Sequence, residues 1–152
     1  MPKYFAYGSN MSDEQIAERC PSHRFVCVAK LPGYRLAFTR HSAKRGCGVA
    51  DVVATADETV WGVVFEMSHA DLAALDKHEG VNMKPPAYVR KNVQVVSTDG
   101  QLLDAITYEV FTKAVNEYAP NAEYLGLITT GARKWGLPQE YQDALGRIQI
   151  AT

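Results

Sequence analysis

The sequence predicts an α+β fold in which a small, mixed but mainly antiparallel β-barrel or roll carries helices on its outside. Three observations predict it. Four segments rich in Val, Tyr, Phe and Trp follow one another between Arg24 and Met67, separated by turn residues. A further pair, Tyr88 to Val96 and Leu102 to Val110, flanks Thr98-Asp99-Gly100, a hairpin signal. Helical periodicity is confined to one stretch near the start, one at mid-chain and two at the end.

Taken in order, Lys3 to Gly8 reads as a short strand, and Ser12 with Gln15 has the spacing of a capping box for a helix reaching Arg19. Arg24–Leu31, Gly33–Arg40, Cys47–Val53 and Thr59–Met67 read as four serial strands, broken at Pro32-Gly33, at a Gly-containing loop and at Asp57-Glu58. Ser68 stands three residues before Asp71, a second capping signature, and the helix it opens should stop at Gly80, the residue suited to a left-handed cap. After the hairpin, Asn121 can cap a helix with Tyr124, Ile128, Gly131 and Trp135 on one face and Gly136 as its stop. Pro138 then begins a last helix with Tyr141, Leu145 and Ile148 on a stripe.

With 152 residues, 47% of them hydrophobic and 22% charged, the chain can bury a sizeable core without disulfide or metal staples. No repeat or linker-like shift divides it, so a single domain over 1–152 is expected. Sixteen Lys+Arg against seventeen Asp+Glu leave a net charge of -1, and the densest basic cluster is Arg40, Lys44 and Arg45 around His41, so no nucleic-acid partner is expected. The chain has no long apolar run and starts directly with Lys3-Tyr4-Phe5-Ala6-Tyr7, which predicts no membrane association and a cytoplasmic location. Cys20, Cys27 and Cys47 are odd in number and widely spaced, as expected of reduced thiols. His23, His41, His69 and His78 never fall at metal-ligand spacing, so no metal is expected.

Two places can carry chemistry. Leu72 and Leu75 define the inward stripe of the Ser68 helix, and the next position on it is Glu79. An acid there is partly desolvated and lies at the negative end of the helix dipole; both effects disfavour ionisation and raise its pKa toward that of a general base. A frayed helix end with Glu79 pointing outward is the plain alternative. The second place is Tyr7-Gly8-Ser9-Asn10, where a strand runs out before a helix begins and unpaired backbone N–H groups can gather for a carboxylate or an oxyanion. A simple Gly-Ser-Asn turn is the alternative there. Ser9 lacks the surroundings of a nucleophile, and Cys47 between Gly46 and Gly48 is either reactive or a small buried hydrophobe.

Together, Tyr4-Phe5-Ala6-Tyr7-Gly8-Ser9-Asn10 and Leu75-Asp76-Lys77-His78-Glu79-Gly80-Val81 resemble the two signature segments of the γ-glutamylcyclotransferase (AIG2-like) family. Phe25–Ala29, Val60–Val64 and Gly131 through Tyr141 resemble its other blocks, so the similarity spans nearly the whole chain. The resemblance implies a small barrel flanked by helices and an enzyme, without cofactor or metal, that releases 5-oxoproline from a small-molecule γ-glutamyl substrate. The family's essential acid falls on Glu79. Its substrate cradle falls on Tyr4, Phe5, Ala6, Tyr7, Gly8 and Ser9, with Asn10 holding the loop, and its lining tyrosines fall on Tyr88 and Tyr124. A homodimer is also implied. Asn82 to Ala87, with Pro85-Pro86, departs from the resemblance by being slightly longer, at the lip of the pocket. The leaving group stays open between an amino acid or peptide and an amine, and a member of the fold that binds a metabolite or protein without turnover is the reading from another class.

Overall fold

Five strands run through the chain as β1 (Lys3–Ala6), β2 (Arg24–Ser42), β3 (Cys47–Glu66), β4 (Tyr88–Ser97) and β5 (Leu102–Val110). The structure, a computed structural model describing residues 1–152, closes them into a barrel in the order β1-β3-β2-β4-β5. Neighbours are antiparallel except at the closure, where β1 meets β5 in parallel at Tyr4 and Ile106. The Thr107 hydroxyl donates to the Phe5 carbonyl at 2.8 Å across that seam. Closure leaves no long strand edge exposed.

The four strands expected between Arg24 and Met67 are two. Arg24–Pro32 pairs with Thr59–Glu66, and Tyr34–Ser42 pairs with Cys47–Ala54, so β2 and β3 form one long bent ribbon. Register shifts at Phe25/Cys27, Pro32/Tyr34 and Ala37/Arg40 produce the bend. Pro32 has no N–H to give, and a bulge there turns the ribbon without ending it. Pro32-Gly33 and Asp57-Glu58, which read as strand ends, therefore lie inside continuous strands, while the Gly-containing loop at 43–46 is a true reversal. Bending is what lets so few strands close around Phe5, Val52, Val60, Val63, Val64 and Phe65, all fully buried.

Four helices cover the barrel: α1 (Asp13–Arg19), α2 (His69–His78), α3 (Ala122–Trp135) and α4 (Gln139–Gly146). Their starts follow the expected caps. Ser12, Ser68 and Asn121 accept from the backbone N–H groups of Gln15, Asp71 and Tyr124 at 3.3, 3.1 and 2.8 Å. Leu72 and Leu75 bury the inner face of α2, and Ile128 with Ala132 that of α3, while Trp135 is only partly buried and donates from Nε1 to the Met11 carbonyl at 2.9 Å. No helix is long and apolar enough to cross a membrane.

Candidate active site

The end of β1 and the end of α2 meet at one mouth of the barrel. Past Ala6 the chain leaves the sheet through Tyr7 and Gly8 into a single 3-10 turn, Ser9–Met11, before α1 begins. Helix α2 stops at His78; Glu79 is its C-cap, and Gly80 follows at φ 69°, a conformation that side chains other than glycine's resist. That reversal fixes the direction in which Glu79 projects. A hollow of about 30 Å³ lies between these two chain ends, with Tyr4, Gly8, Asn10, Glu79, Tyr88 and Tyr124 among its walls.

Glu79 is only half-buried as a residue, but its carboxyl end is drawn inward. The Asn10 amide donates to Glu79 Oε1 at 3.0 Å and also to the Tyr4 hydroxyl at 2.9 Å. The carbonyl end of the same amide accepts from Gln15 at 2.9 Å and from Arg19 at 3.0 Å, so every hydrogen-bonding position of Asn10 that faces these groups is used. Burial pushes the Glu79 carboxyl above the usual carboxylate range, against the pull of Arg19, the Asn10 bond and Arg45; Asp76 pushes it up a little further. Burial thus outweighs three stabilising influences on the carboxylate, and the group sits above the range of an exposed acid.

Around it the hollow stays neutral. Burial raises Tyr4, Tyr7 and Tyr88 far above the ordinary phenol value and Tyr124 to about 12, so all four are protonated at pH 7. Three of the hydroxyls are tied to backbone: Tyr7 donates to the Tyr108 carbonyl at 2.6 Å, Tyr88 donates to the Ala50 carbonyl at 2.6 Å, and Tyr124 accepts from the Ala50 N–H at 3.0 Å. The N–H groups of Tyr7, Gly8, Ser9 and Asn10, by contrast, find no acceptor within the chain. A Cβ on Gly8 would stand 3.2 Å from that of Ala50, so any larger side chain crowds the wall facing β3.

Not every residue of the first segment reaches the hollow. Phe5 and Ala6 have no exposed surface and pack in the core, where β1 runs against β3, so their side chains do not line the hollow. Asn10 does more than hold the loop, since it touches the acid itself. Ser9 accepts from Gln15 Nε2 at 2.8 Å and has no base beside it. Cys47 is buried.

Sequence reasoning missed Tyr108 and Ala50. Tyr108 lines the hollow and donates to Asp76 at 2.6 Å, and Ala50 carries both lining tyrosines, one on its N–H and one on its carbonyl. The alternation of β5, which turns Ala105 and Thr107 one way and Tyr108 toward α2, is the only signal that could have singled out the former. A backbone role such as that of Ala50 leaves no signal.

Outside the hollow lies a wider basin of about 310 Å³ that shares Ser9, Glu79, Tyr88 and Tyr124 with it as common walls. Its remaining walls include Arg19 from α1, Arg40 from the end of β2, Lys44 and Arg45 from the turn between β2 and β3, and Lys77 and His78 from α2. The hollow and the basin therefore adjoin at Glu79.

Comparison with known proteins agrees with this architecture. Residues 59–145 match the model of the AIG2-like family. The γ-glutamylcyclotransferases of Mus musculus and Homo sapiens are 35% and 36% identical to the chain over 150 residues, covering 96% of it and 78% of each relative. A solved structure described as a γ-glutamyl cyclotransferase superposes with a TM-score of 0.92 at 34% identity, over 99% of this chain and 89% of that one.

Proposed function

This chain belongs to the γ-glutamylcyclotransferases of the AIG2-like family, and from that premise we propose that it releases 5-oxoproline from γ-glutamyl amino acids or peptides with Glu79 as general base and acid. The observation that supports the reading best is the pairing of one desolvated, singly hydrogen-bonded carboxylate with a row of unpaired N–H groups across the same hollow.

The reaction needs no nucleophile from the enzyme, because the substrate's own α-nitrogen attacks its γ-carbonyl carbon. That nitrogen arrives as an ammonium. Glu79 removes a proton from it, the new C–N bond closes the five-membered ring, and the old amide C–N bond breaks as the leaving nitrogen takes a proton from the Glu79 carboxylic acid. Over the whole cycle the α-nitrogen loses two protons and the expelled amine gains two as an ammonium, so charge and atoms balance. General acid–base action of this kind is worth about 10²–10⁴ in rate.

The N–H groups of Tyr7, Gly8 and Ser9 grip the glutamyl end and take up the negative charge that develops on the carbonyl oxygen, each well-aimed donor being worth about 3 kcal/mol. Neutral tyrosines around them keep water and competing charges out, and they hold a flexible chain folded until nitrogen and carbon are within about 3–3.5 Å. Asn10 fixes the orientation of the acid and stabilises its charged form.

The test is 5-oxoproline release from a panel of γ-glutamyl amino acids and γ-glutamylamines by the wild type and by Glu79→Gln. The Gln side chain keeps size and the acceptor for Asn10 but not basicity. Turnover should fall at least about a hundredfold while calorimetry still detects substrate binding. Near-normal release by the Gln variant removes Glu79 from the role. Absence of release by the wild type across the panel leaves only a binding member of the fold.

A further inference from the structure

The outer basin carries more positive charge than a γ-glutamyl conjugate of a neutral amino acid can use. Arg19, Arg40, Lys44, Arg45 and Lys77 all face it, and Glu79 is the one carboxylate in its wall. The chain as a whole has a net charge of -1, so this is a local concentration and not a reflection of composition. Elsewhere on the surface basic groups meet acids, as Arg90 meets Asp76 at 2.7 Å and Lys134 meets Asp13 at 3.0 Å. None of the five basin cations is in an ion pair.

Two of the five are committed to the wall itself. Arg19 holds the Asn10 carbonyl, and Arg45 donates to Gln15 Oε1 at 2.7 Å while its guanidinium lies 5.3 Å from the centre of the Tyr124 ring. Arg40, Lys44 and Lys77 have no hydrogen-bond partner for their side chains. Arg40 shares the basin wall with Tyr88, which also lines the inner hollow. Unpaired cations converging on one concavity raise the local concentration of anions and favour their entry. One α-carboxylate on the leaving group would satisfy one or two of them and leave the rest unmatched.

We propose that this basin is the leaving-group subsite and selects γ-glutamyl conjugates of acidic amino acids, with Arg40 and Lys44 as the specificity-determining residues for the second carboxylate. The assignment rests on the cyclotransferase reading above, since it presumes that the glutamyl half lies in the inner hollow. It adds to that reading a preference the inner hollow has no means to express, because its walls are neutral apart from the acid.

The measurement is kcat/KM for 5-oxoproline release from γ-glutamyl-glutamate and from the isosteric γ-glutamyl-glutamine, with γ-glutamyl-alanine as reference, at low salt. The expected ratio favours glutamate about tenfold in the wild type, and it shrinks toward one as sodium chloride screens the basin. In Arg40→Gln/Lys44→Gln the ratio should fall below about twofold at low salt. Circular dichroism verifies that the variant is folded, and the salt series in the wild type tests the same claim without any substitution. Equal use of the two dipeptides by the wild type, or a preference that survives both salt and the double substitution, overturns the proposal while leaving the cyclotransferase reading in place. Failure to cyclise any of the three, alanine included, overturns the cyclotransferase reading instead.

Discussion

Asp51 and Glu79 both carry their carboxylates into the interior, and the chain treats them in opposite ways. Asp51 has no exposed surface, and its oxygens accept from the Val110 N–H at 2.9 Å, the Thr39 hydroxyl at 2.7 Å and the Lys113 ammonium at 2.7 and 3.0 Å. Both oxygens are engaged by donors from β2, β5 and the segment just beyond β5. Glu79 has one donor, the Asn10 amide, and faces a hollow. A saturated carboxylate ties strands together, whereas one left short of partners is available to a substrate.

The largest expected effect breaks the comparison at Glu79. Beyond the loss of at least about a hundredfold in turnover, Glu79→Gln should leave the fold as stable as before or more so. The sign follows from burial, which raises the folded pKa of this carboxyl above its unfolded value. The stability it contributes is then complete below the unfolded pKa, near 4.3, and is lost as pH rises through the folded one. A neutral side chain keeps what the ionised one gives up. The melting temperature of the variant should exceed the wild type's at pH 7, and the difference should close in acid. A variant that melts lower at pH 7 shows that the charge of Glu79 is supported after all.

Asp51→Ala should do the reverse, with its cost in stability. The substitution leaves a buried N–H and a buried hydroxyl without acceptors and strands Lys113, whose partial exposure limits its share. About 3 kcal/mol of unfolding free energy should be lost in a urea titration. A loss under about 1 kcal/mol would mean that this centre is not the anchor its hydrogen bonds describe.

Asn10→Ala sharpens the comparison from the side of the acid. It deletes the bond that favours the charged form, so the carboxyl rises further, and the acid limb of the kcat/KM profile should move to higher pH than in the wild type. At a pH where the base is ionised in both proteins, the loss should be within about tenfold, since the acid is still present but less well aimed. A limb that stays in place separates Asn10 from the titration of Glu79.

The contrast between the two acids also marks how far the sequence could be read. Glu79 was legible because helical spacing from Leu72 and Leu75 and the stop at Gly80 are local, and the Tyr4–Asn10 segment was legible as a motif. Asp51 was not. Its partners come from two stretches far apart in sequence, Thr39 in β2 and Val110 with Lys113 at the end of β5, which only the fold brings together with Asp51, as it does Ala50 with Tyr88 and Tyr124. The hairpin Tyr88–Val110 and the helix caps likewise depend on neighbours in sequence and are legible for the same reason. The two long strands were split because a bulge at Pro32 and a true chain reversal use the same residues.

The smallest effect concerns Ala50, whose peptide joins the two regions: it adjoins Asp51 and holds the tyrosines that wall the hollow. Tyr124→Phe removes the acceptor of the Ala50 N–H, and Tyr88→Phe removes the donor to its carbonyl. Each should cost about 1 kcal/mol of stability, the former more, because a buried N–H has a single bond to lose while a carbonyl keeps a second lone pair. The two phenols hold the consecutive peptide groups on either side of the Ala50 Cα, so a shift of one is passed to the other and their effects should not add. The double variant should deviate from the sum of the singles by at least about 0.5 kcal/mol in urea denaturation. Strict additivity would mean that the peptide is held by β3 alone and that the tyrosines rest on it as lining without positioning it.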